Sequence, residues 1–268
     1  IPLRLVGSEM CIRDSLHSYL SVANRAEQQD TAAQTPRLLQ GERMTKLDII
    51  SDPICPWCYI GKAHLDRALE AAPEHNFDIE WHPFQLNPDM PAGGMDRRLY
   101  LETKFGGKQQ AVRAYAPVAE HAQSAGLEIA FDKIKTTPNT SNAHRLIHWA
   151  GIEGCQTPVV AGLFRAYFKL GLDIGDPAVL AQVGERSGMD GALVSKLLSS
   201  VADSGVVAEK EAAGRQMGIT SVPTFIVAGQ HVVQGAQSPD LWQRVITELA
   251  EIQAAEIQAA ENPSNAAG

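Results

Sequence analysis

The stretch LDIISDPICPWCYIG, Leu47 to Gly61, decides how the chain is read, because it sets two cysteines where a short apolar run gives way to a helix. Leu47, Ile49 and Ile50 form the apolar run and Ser51-Asp52-Pro53 the turn. After Cys58, Leu65 and Leu69 with Ala63, Ala68 and Ala72 recur at helical spacing. Cys55 therefore falls at or near a helix N-terminus, where unpaired backbone N–H groups and the positive end of the helix dipole favour a thiolate over a thiol. Pro56 suits the first helical position, where a missing N–H costs nothing. Cys58 returns to the same side of the helix one turn on. Two thiols so placed can close a small disulfide and reopen it by exchange, with Cys55 attacking and Cys58 resolving.

Other readings of the pair are weaker. A zinc half-site wants a second pair of ligands at short spacing, and the remaining cysteines, Cys11 and Cys155, each stand alone. A purely structural disulfide over so small a loop would stabilise little. Two inert buried thiols stay open on these residues alone.

Far downstream, Thr220-Ser221-Val222-Pro223-Thr224-Phe225 leads into the apolar run Phe225-Ile226-Val227, and Gly235-Ala236-Gln237 follows. The order CPWCYIG, a long helical stretch, SVPTF and this Gly-Ala-Gln resembles the DsbA-like family of thioredoxin-fold thiol–disulfide oxidoreductases, its FrnE-type members in particular. The resemblance covers about Thr45 to Leu249. It implies an α/β thioredoxin fold with a mixed sheet and a helical insertion domain. It further implies a cis Val222–Pro223 peptide beside Cys55, with Val222 and Pro223, together with Pro56 and Trp57, facing the substrate. An X–Pro bond is the one kind for which the cis form costs little.

The flanking composition bounds the rest. With 268 residues and 44% hydrophobic content the chain can bury a full core. Its 31 acidic against 23 basic residues, a net charge of −8, argue against nucleic acid and against an anionic membrane surface as partners. Residues 1–43 lack apolar periodicity and the layout of a secretory signal, so they read as a non-native or disordered extension, with Met44 as the better start and the cytoplasm as the expected location. Cys11 is incidental on that reading. The expected divisions are 44–94 as the first thioredoxin part, 95–217 as the helical insertion, 218–252 as the second thioredoxin part and 253–268 as a helical extension and disordered tail. Within the last, Glu251 to Ala255 is repeated as Glu256 to Ala260, which keeps helix propensity and loses facial register, a frayed end.

Between these landmarks the pattern predicts a strand over Lys46–Ser51, a helix over Trp57–Ala72 and a second strand over Phe77–Phe84. Helices follow at Met95–Phe105, Lys108–Ala125, Asn139–Ala150, Thr157–Leu170, Asp176–Ser187 and Asp190–Leu198. Thr157-Pro158 and Asp176-Pro177 each read as an N-cap followed by Pro at the first helical position. Thr224–Ala228 and His231–Gln234 flank Gly229-Gln230 as a hairpin with a two-residue turn, and Ser238 caps a last helix. His82 reads as a structural strand residue rather than an acid–base group. Asn142, His144, Arg145 and His148 share one helix that the resemblance brings near the active-site groove; His144 and His148 have no third ligand, so no metal site is expected. Cys155 reads as a small hydrophobe, and Leu163, Phe164, Tyr167, Phe168 and Leu170 as core.

The functional expectation is a thiol–disulfide oxidoreductase acting through Cys55 and Cys58 on disulfides or thiols of proteins, peptides or small molecules. No metal, flavin or nucleotide cofactor is expected, and glutathione is left open as co-substrate. Two rivals differ in kind. One is a glutathione-using relative of the same superfamily, such as the kappa-class transferases or the chromene-carboxylate isomerases, which the resemblance says carry serine where Cys55 stands. The other is a client-binding holdase whose thiols are incidental; unlike an oxidoreductase, it would keep its function with both cysteines replaced by serine.

Overall fold

The computed structural model describes residues 44–261. The expectations for 1–43, Cys11 included, and for the tail Asn262 to Gly268 lie outside the described residues. Strand β1 (Thr45–Ser51) is central, which is why its apolar residues face both ways: Leu47 and Ile49 point into the main core, and Ile50 joins Phe84 and Ile219 on the other side. It pairs in parallel with β2 (Phe77–Pro83) through the crossover helix α1 (Pro56–Ala71), and antiparallel with β5 (Thr224–Val227), which turns back into β6 (His231–Gln234). The sheet order is β2-β1-β5-β6.

That register positions the site. Ile50 lies opposite Thr224, so the loop leaving the end of β1 meets the segment entering β5. Cys55 on the one and Val222 on the other come together because two strands pair, although 167 residues separate them.

The remaining helices are α2 (Arg97–Phe105), α3 (Lys108–Ser124), α4 (Ser141–Ile152), α5 (Gln156–Phe164), α6 (Pro177–Arg186), α7 (Gly191–Leu198), α8 (Ser204–Gln216) and α9 (Pro239–Glu261). Helices α4, α5 and α8 pack on β2, and α9 packs on α1. One apolar core runs from Leu47, Trp81 and Phe225 in the sheet through Leu146, Phe164 and Phe168 in the helical part to Trp242 in α9. The attachment to β2 has a polar component as well. Gln156 bonds both backbone groups of Trp81, its Oε1 accepting from the N–H at 2.7 Å and its Nε2 donating to the carbonyl at 3.0 Å. A side-chain amide thus does for the free edge of β2 what another strand would do.

Several local expectations are corrected. Met95–Asp96 is not helical; it forms a short strand, β3, antiparallel to β4 (Thr136–Thr137), and Asp96 then caps α2 by accepting from Leu99 N–H at 2.9 Å. Thr157 does not cap a helix: α5 begins at Gln156, and the Thr157 hydroxyl accepts instead from Trp81 Nε1–H at 3.0 Å. Asp176 does cap, accepting from Ala178 N–H at 2.8 Å. The run expected as one helix to Leu170 passes into a π-helical turn at Arg165–Lys169, with Tyr167 and Phe168 fully buried and Leu170 turned out to solvent. The hairpin loop has three residues rather than two, since Val227 pairs with His231 and Ala228 and Gly229 take φ of 54° and 69°. The repeat at the chain end is no frayed segment at Gln253, which donates to the Thr45 hydroxyl at 2.9 Å and accepts from Asn76 Nδ2. Among the described residues no helix is long and apolar enough to cross a membrane.

Candidate active site

Asp52 builds the turn that presents the thiols. It is fully buried, its Oδ1 accepts from Ile54 N–H at 3.3 Å and its Oδ2 from Leu86 N–H at 2.7 Å, while Cys55 N–H donates to its backbone carbonyl at 2.9 Å. One side chain therefore folds residues 52–55 and ties them to the segment after β2. Burial outweighs these hydrogen bonds and that from Thr140, and lifts the Asp52 carboxyl to about 7. Cys55 is the N-cap of α1 with Pro56 just inside, as the sequence leads one to expect.

Both cysteines are thiols here, and both are buried. Cys55 Sγ lies 3.7 Å from the carbonyl oxygen of Val222, and the Val222–Pro223 peptide is cis. Gly61, one turn into α1, makes the approach possible: a Cβ there would stand 3.1 Å from Pro223 Cγ and 3.5 Å from Phe225 Cζ. Cys58 faces inward. Burial, then the adjacent Cys55, push its thiol well above the ordinary range, while the Ser51 hydroxyl and Asp52 N–H oppose them. The inner thiol is thus the one that holds its proton.

A cavity of about 320 Å³ opens on Cys55. Cys55, Pro56 and Trp57 form one wall, residues 220–222 a second, and α2 and α3 the third through Arg97, Tyr100, Lys104 and Tyr115. Trp57 is braced from behind by His121, ring centroids 5.1 Å apart at 62°. Arg97 is buried, yet among the described residues its guanidinium bonds only neutral groups: Nη2 donates to the Tyr115 hydroxyl at 2.9 Å, and Nη1 to the Tyr167 hydroxyl at 3.1 Å and to Thr137 Oγ1 at 3.5 Å. Asp52, Arg97, Lys104 and Tyr115 were not singled out by the sequence. Asp52 carried a readable signal, an Asx turn just ahead of a cysteine; the other three carried none.

The remaining sequence candidates fall elsewhere. His82 lies on β2 with Nε2 2.6 Å from Asp48 Oδ1, outside the thiol cavity. Asp48, Glu80 and His82 bring ligand-type atoms within 4.8 Å of one another, but Lys46 Nζ stands 3.0 Å from both carboxylates and serves as their cation. Of the four α4 residues expected near the groove, none lines the thiol cavity. Arg145 is a buried clamp, donating to the carbonyls of Leu197, Ser200 and Ala202 and to Asn142 Oδ1. His144 is buried behind the turn and His148 lines a separate cavity beyond β2. Cys155 is the N-cap of α5 and half-buried.

Comparison with known proteins agrees with this geometry. A family model described as a DSBA-like thioredoxin domain matches residues 46–247. The Bacillus subtilis (strain 168) protein YwbO is 27% identical over 208 residues, 75% of this chain and 96% of its own. Among solved structures, a probable DsbA oxidoreductase, SCO1869, from Streptomyces coelicolor superposes with a TM-score of 0.68 at 26% identity, over 76% of this chain and 89% of that one. The cytosolic disulfide reductase DsbM from Pseudomonas aeruginosa, solved with GSH, shares the fold, with a TM-score of 0.54 at 20% identity over 77% and 99% of the two chains. The CPWC turn, the Val222–Pro223 segment against it and a family match spanning both identify the chain as a member of the DsbA-like thioredoxin-domain family.

Proposed function

We propose that this chain is a thiol–disulfide oxidoreductase in which Cys55 is the nucleophile and Cys58 the resolving thiol. The supporting observation is the difference between the two sulfurs: Cys55 lines a cavity beside the Val222 carbonyl, whereas burial and Cys55 itself hold the Cys58 proton on. Cys55 as thiolate attacks one sulfur of a substrate disulfide, the substrate S–S bond breaks, and the departing thiolate takes up a proton. Once Cys55 is tied in the mixed disulfide its negative charge is gone, which removes one of the causes raising Cys58. Cys58 then loses its proton, attacks Cys55 Sγ and releases the second substrate thiol. Two protein thiols become one disulfide and one substrate disulfide becomes two thiols, and the reverse sequence oxidises a substrate. The Val222 carbonyl offers an extended substrate backbone a hydrogen-bond acceptor beside the reacting sulfur.

The test is a trap. Cys58→Ser should accumulate a mixed disulfide through Cys55, visible as a mass adduct that reductant removes, while Cys55→Ser should form none and lose all turnover. Disulfide turnover that survives in the double serine variant would refute this reading, and client binding that survives there without any exchange activity in the unaltered protein would favour a holdase.

A further inference from the structure

We infer that Arg97, assisted by Lys104, reads a carboxylate on the substrate, so that the preferred substrate of the Cys55–Cys58 pair is a small disulfide bearing an anionic group a short chain away from its sulfur. This rests on the proposed exchange chemistry and narrows it. Three observations carry it. The cavity lining holds two cations, Arg97 and Lys104, and no acidic residue, in a chain whose net charge is −8. Arg97 is 7% exposed, and among the described residues no carboxylate forms an ion pair with it or with Lys104. The volume of about 320 Å³ lies at the small end of the roughly 300–1,000 Å³ of small-molecule sites, too little for a folded client to enter.

A buried cation with no counter-charge is costly, and neutral hydroxyls repay only part of that cost. Here the hydroxyls come from three separate elements, Tyr115 on α3, Thr137 on β4 and Tyr167 in the π turn, and they hold the guanidinium on the wall of the thiol cavity. Its ring neighbours hold it in place, with the Arg97 Cζ 5.4 Å from the Tyr115 ring centroid and 5.8 Å from that of Tyr167. A planar fork fixed in this way is suited to a carboxylate, which it meets with paired N–H donors. Lys104, exposed at the mouth and bonded to the Tyr100 hydroxyl at 2.6 Å, extends the positive wall outward. In the exchange, the substrate S–S bond breaks as Cys55 forms the mixed disulfide, that mixed disulfide breaks as Cys58 closes the Cys55–Cys58 bond, and each carboxylate-bearing thiolate leaves with one of the two thiol protons.

The experiment measures single-turnover oxidation of the reduced protein by three small disulfides: dithiodipropionate (anionic), hydroxyethyl disulfide (neutral) and cystamine (cationic). Each rate is divided by that of dithiothreitol with the same disulfide, which removes differences in intrinsic sulfur reactivity. The expected order is anionic, neutral, cationic, with at least tenfold between the first and last at low ionic strength and a narrower gap at high salt. Arg97→Gln should collapse the anionic-to-neutral ratio toward one, Arg97→Lys should restore part of it, and Lys104→Gln, at an exposed position, should lower it severalfold. Equal normalised rates for the three disulfides in the unaltered protein, or an Arg97→Gln loss shared equally by all three, would overturn the inference and leave the exchange chemistry standing. No oxidation by any of them would instead defeat the proposed function, and this inference with it. Should Arg97→Gln fail to fold, the salt dependence and the Lys104→Gln ratio decide: either one without effect refutes the role of the positive wall.

Discussion

Behind the CPWC turn, Asp52 and His144 form a buried pair whose separate removal should tilt the stability of the protein with pH in opposite directions. Asp52 Oδ1 lies 3.9 Å from His144 Nε2, the two side chains are 0% and 1% exposed, and His144 Nε2 is 3.2 Å from the Phe84 carbonyl while Nδ1 has no partner. Burial raises the Asp52 carboxyl from 3.8 to about 7 and lowers the His144 imidazole from 6.5 to about 4. Between pH 4 and 6.5 the folded protein therefore binds one proton more than the unfolded chain at Asp52 and one fewer at His144. The two contributions to the slope of stability with pH have opposite signs and cancel. In Asp52→Asn the histidine acts alone: its unfolded form takes up a proton that the folded form refuses, so stability relative to the unaltered protein falls on acidification. At about 1.4 kcal/mol per pH unit, that relative loss amounts to about 3 kcal/mol across the window. In His144→Asn the carboxyl acts alone, and relative stability falls as pH rises from 4 to 6.5, again by about 3 kcal/mol in all.

Urea unfolding of the three proteins at half-unit steps from pH 4.5 to 7 measures this directly. Surface groups titrate alike in all three, so the informative quantity is each variant minus the unaltered protein, and any fixed cost of losing the Asp52 hydrogen bonds drops out of the slope. Differences that run parallel, or that stay flat through the window, would refute the reasoning. An ion pair of Asp52 carboxylate with imidazolium would give the flat unaltered profile but not this pair of opposed tilts, since neither partner would then favour its neutral form.

Three further outcomes follow from particular contacts. Because the Cys58 thiol is held up by burial and by Cys55, iodoacetamide should label Cys55 first and Cys58 at least tenfold more slowly near neutral pH, as read by peptide mass; equal rates would contradict the division of roles. Gly61→Val would drive a β-branched side chain into Pro223 and Phe225, costing about 1–3 kcal/mol in urea unfolding and lowering exchange turnover by displacing Val222 from Cys55; unchanged turnover would show that the segment tolerates the shift. Arg145→Met would strip the donors from three backbone carbonyls at 197–202, and the unfolding free energy should drop by about 3–5 kcal/mol with exchange per folded molecule unchanged.

What was legible beforehand is what neighbours in the chain determine together. The apolar run before Cys55, the Pro at the helix start and the alternation through Phe77 to Trp81 each describe a local conformation, and β1, α1 and β2 follow them closely. The approach of Val222 to Cys55 was legible only through family resemblance. Nothing in either segment alone says that Ile50 will pair with Thr224. The Thr157 cap failed for the same reason of range: the residue has the character of a helix cap, but the Trp81 indole on the edge strand β2 claimed its hydroxyl, a competition visible only once the sheet exists.

The wall opposite the thiols was illegible for a sharper reason. Arg97 stands between Asp96 and Arg98 in the first turn of a helix that is hydrophilic on most sides, and read in sequence it is an ordinary solvated charge. Its burial is the work of residues from three other elements, and its lack of an acidic partner is a property of their hydroxyls rather than of any spacing. The two thiols proposed to react lie three residues apart on one helix start, so a motif can describe them. The group proposed to choose among substrates depends on contacts 18, 40 and 70 residues away, and no short pattern can hold them. Reaction class and substrate preference are thus written at different ranges in this fold, and a relative that keeps CPWC while replacing Arg97 or Tyr115 should keep the exchange chemistry and change its partner.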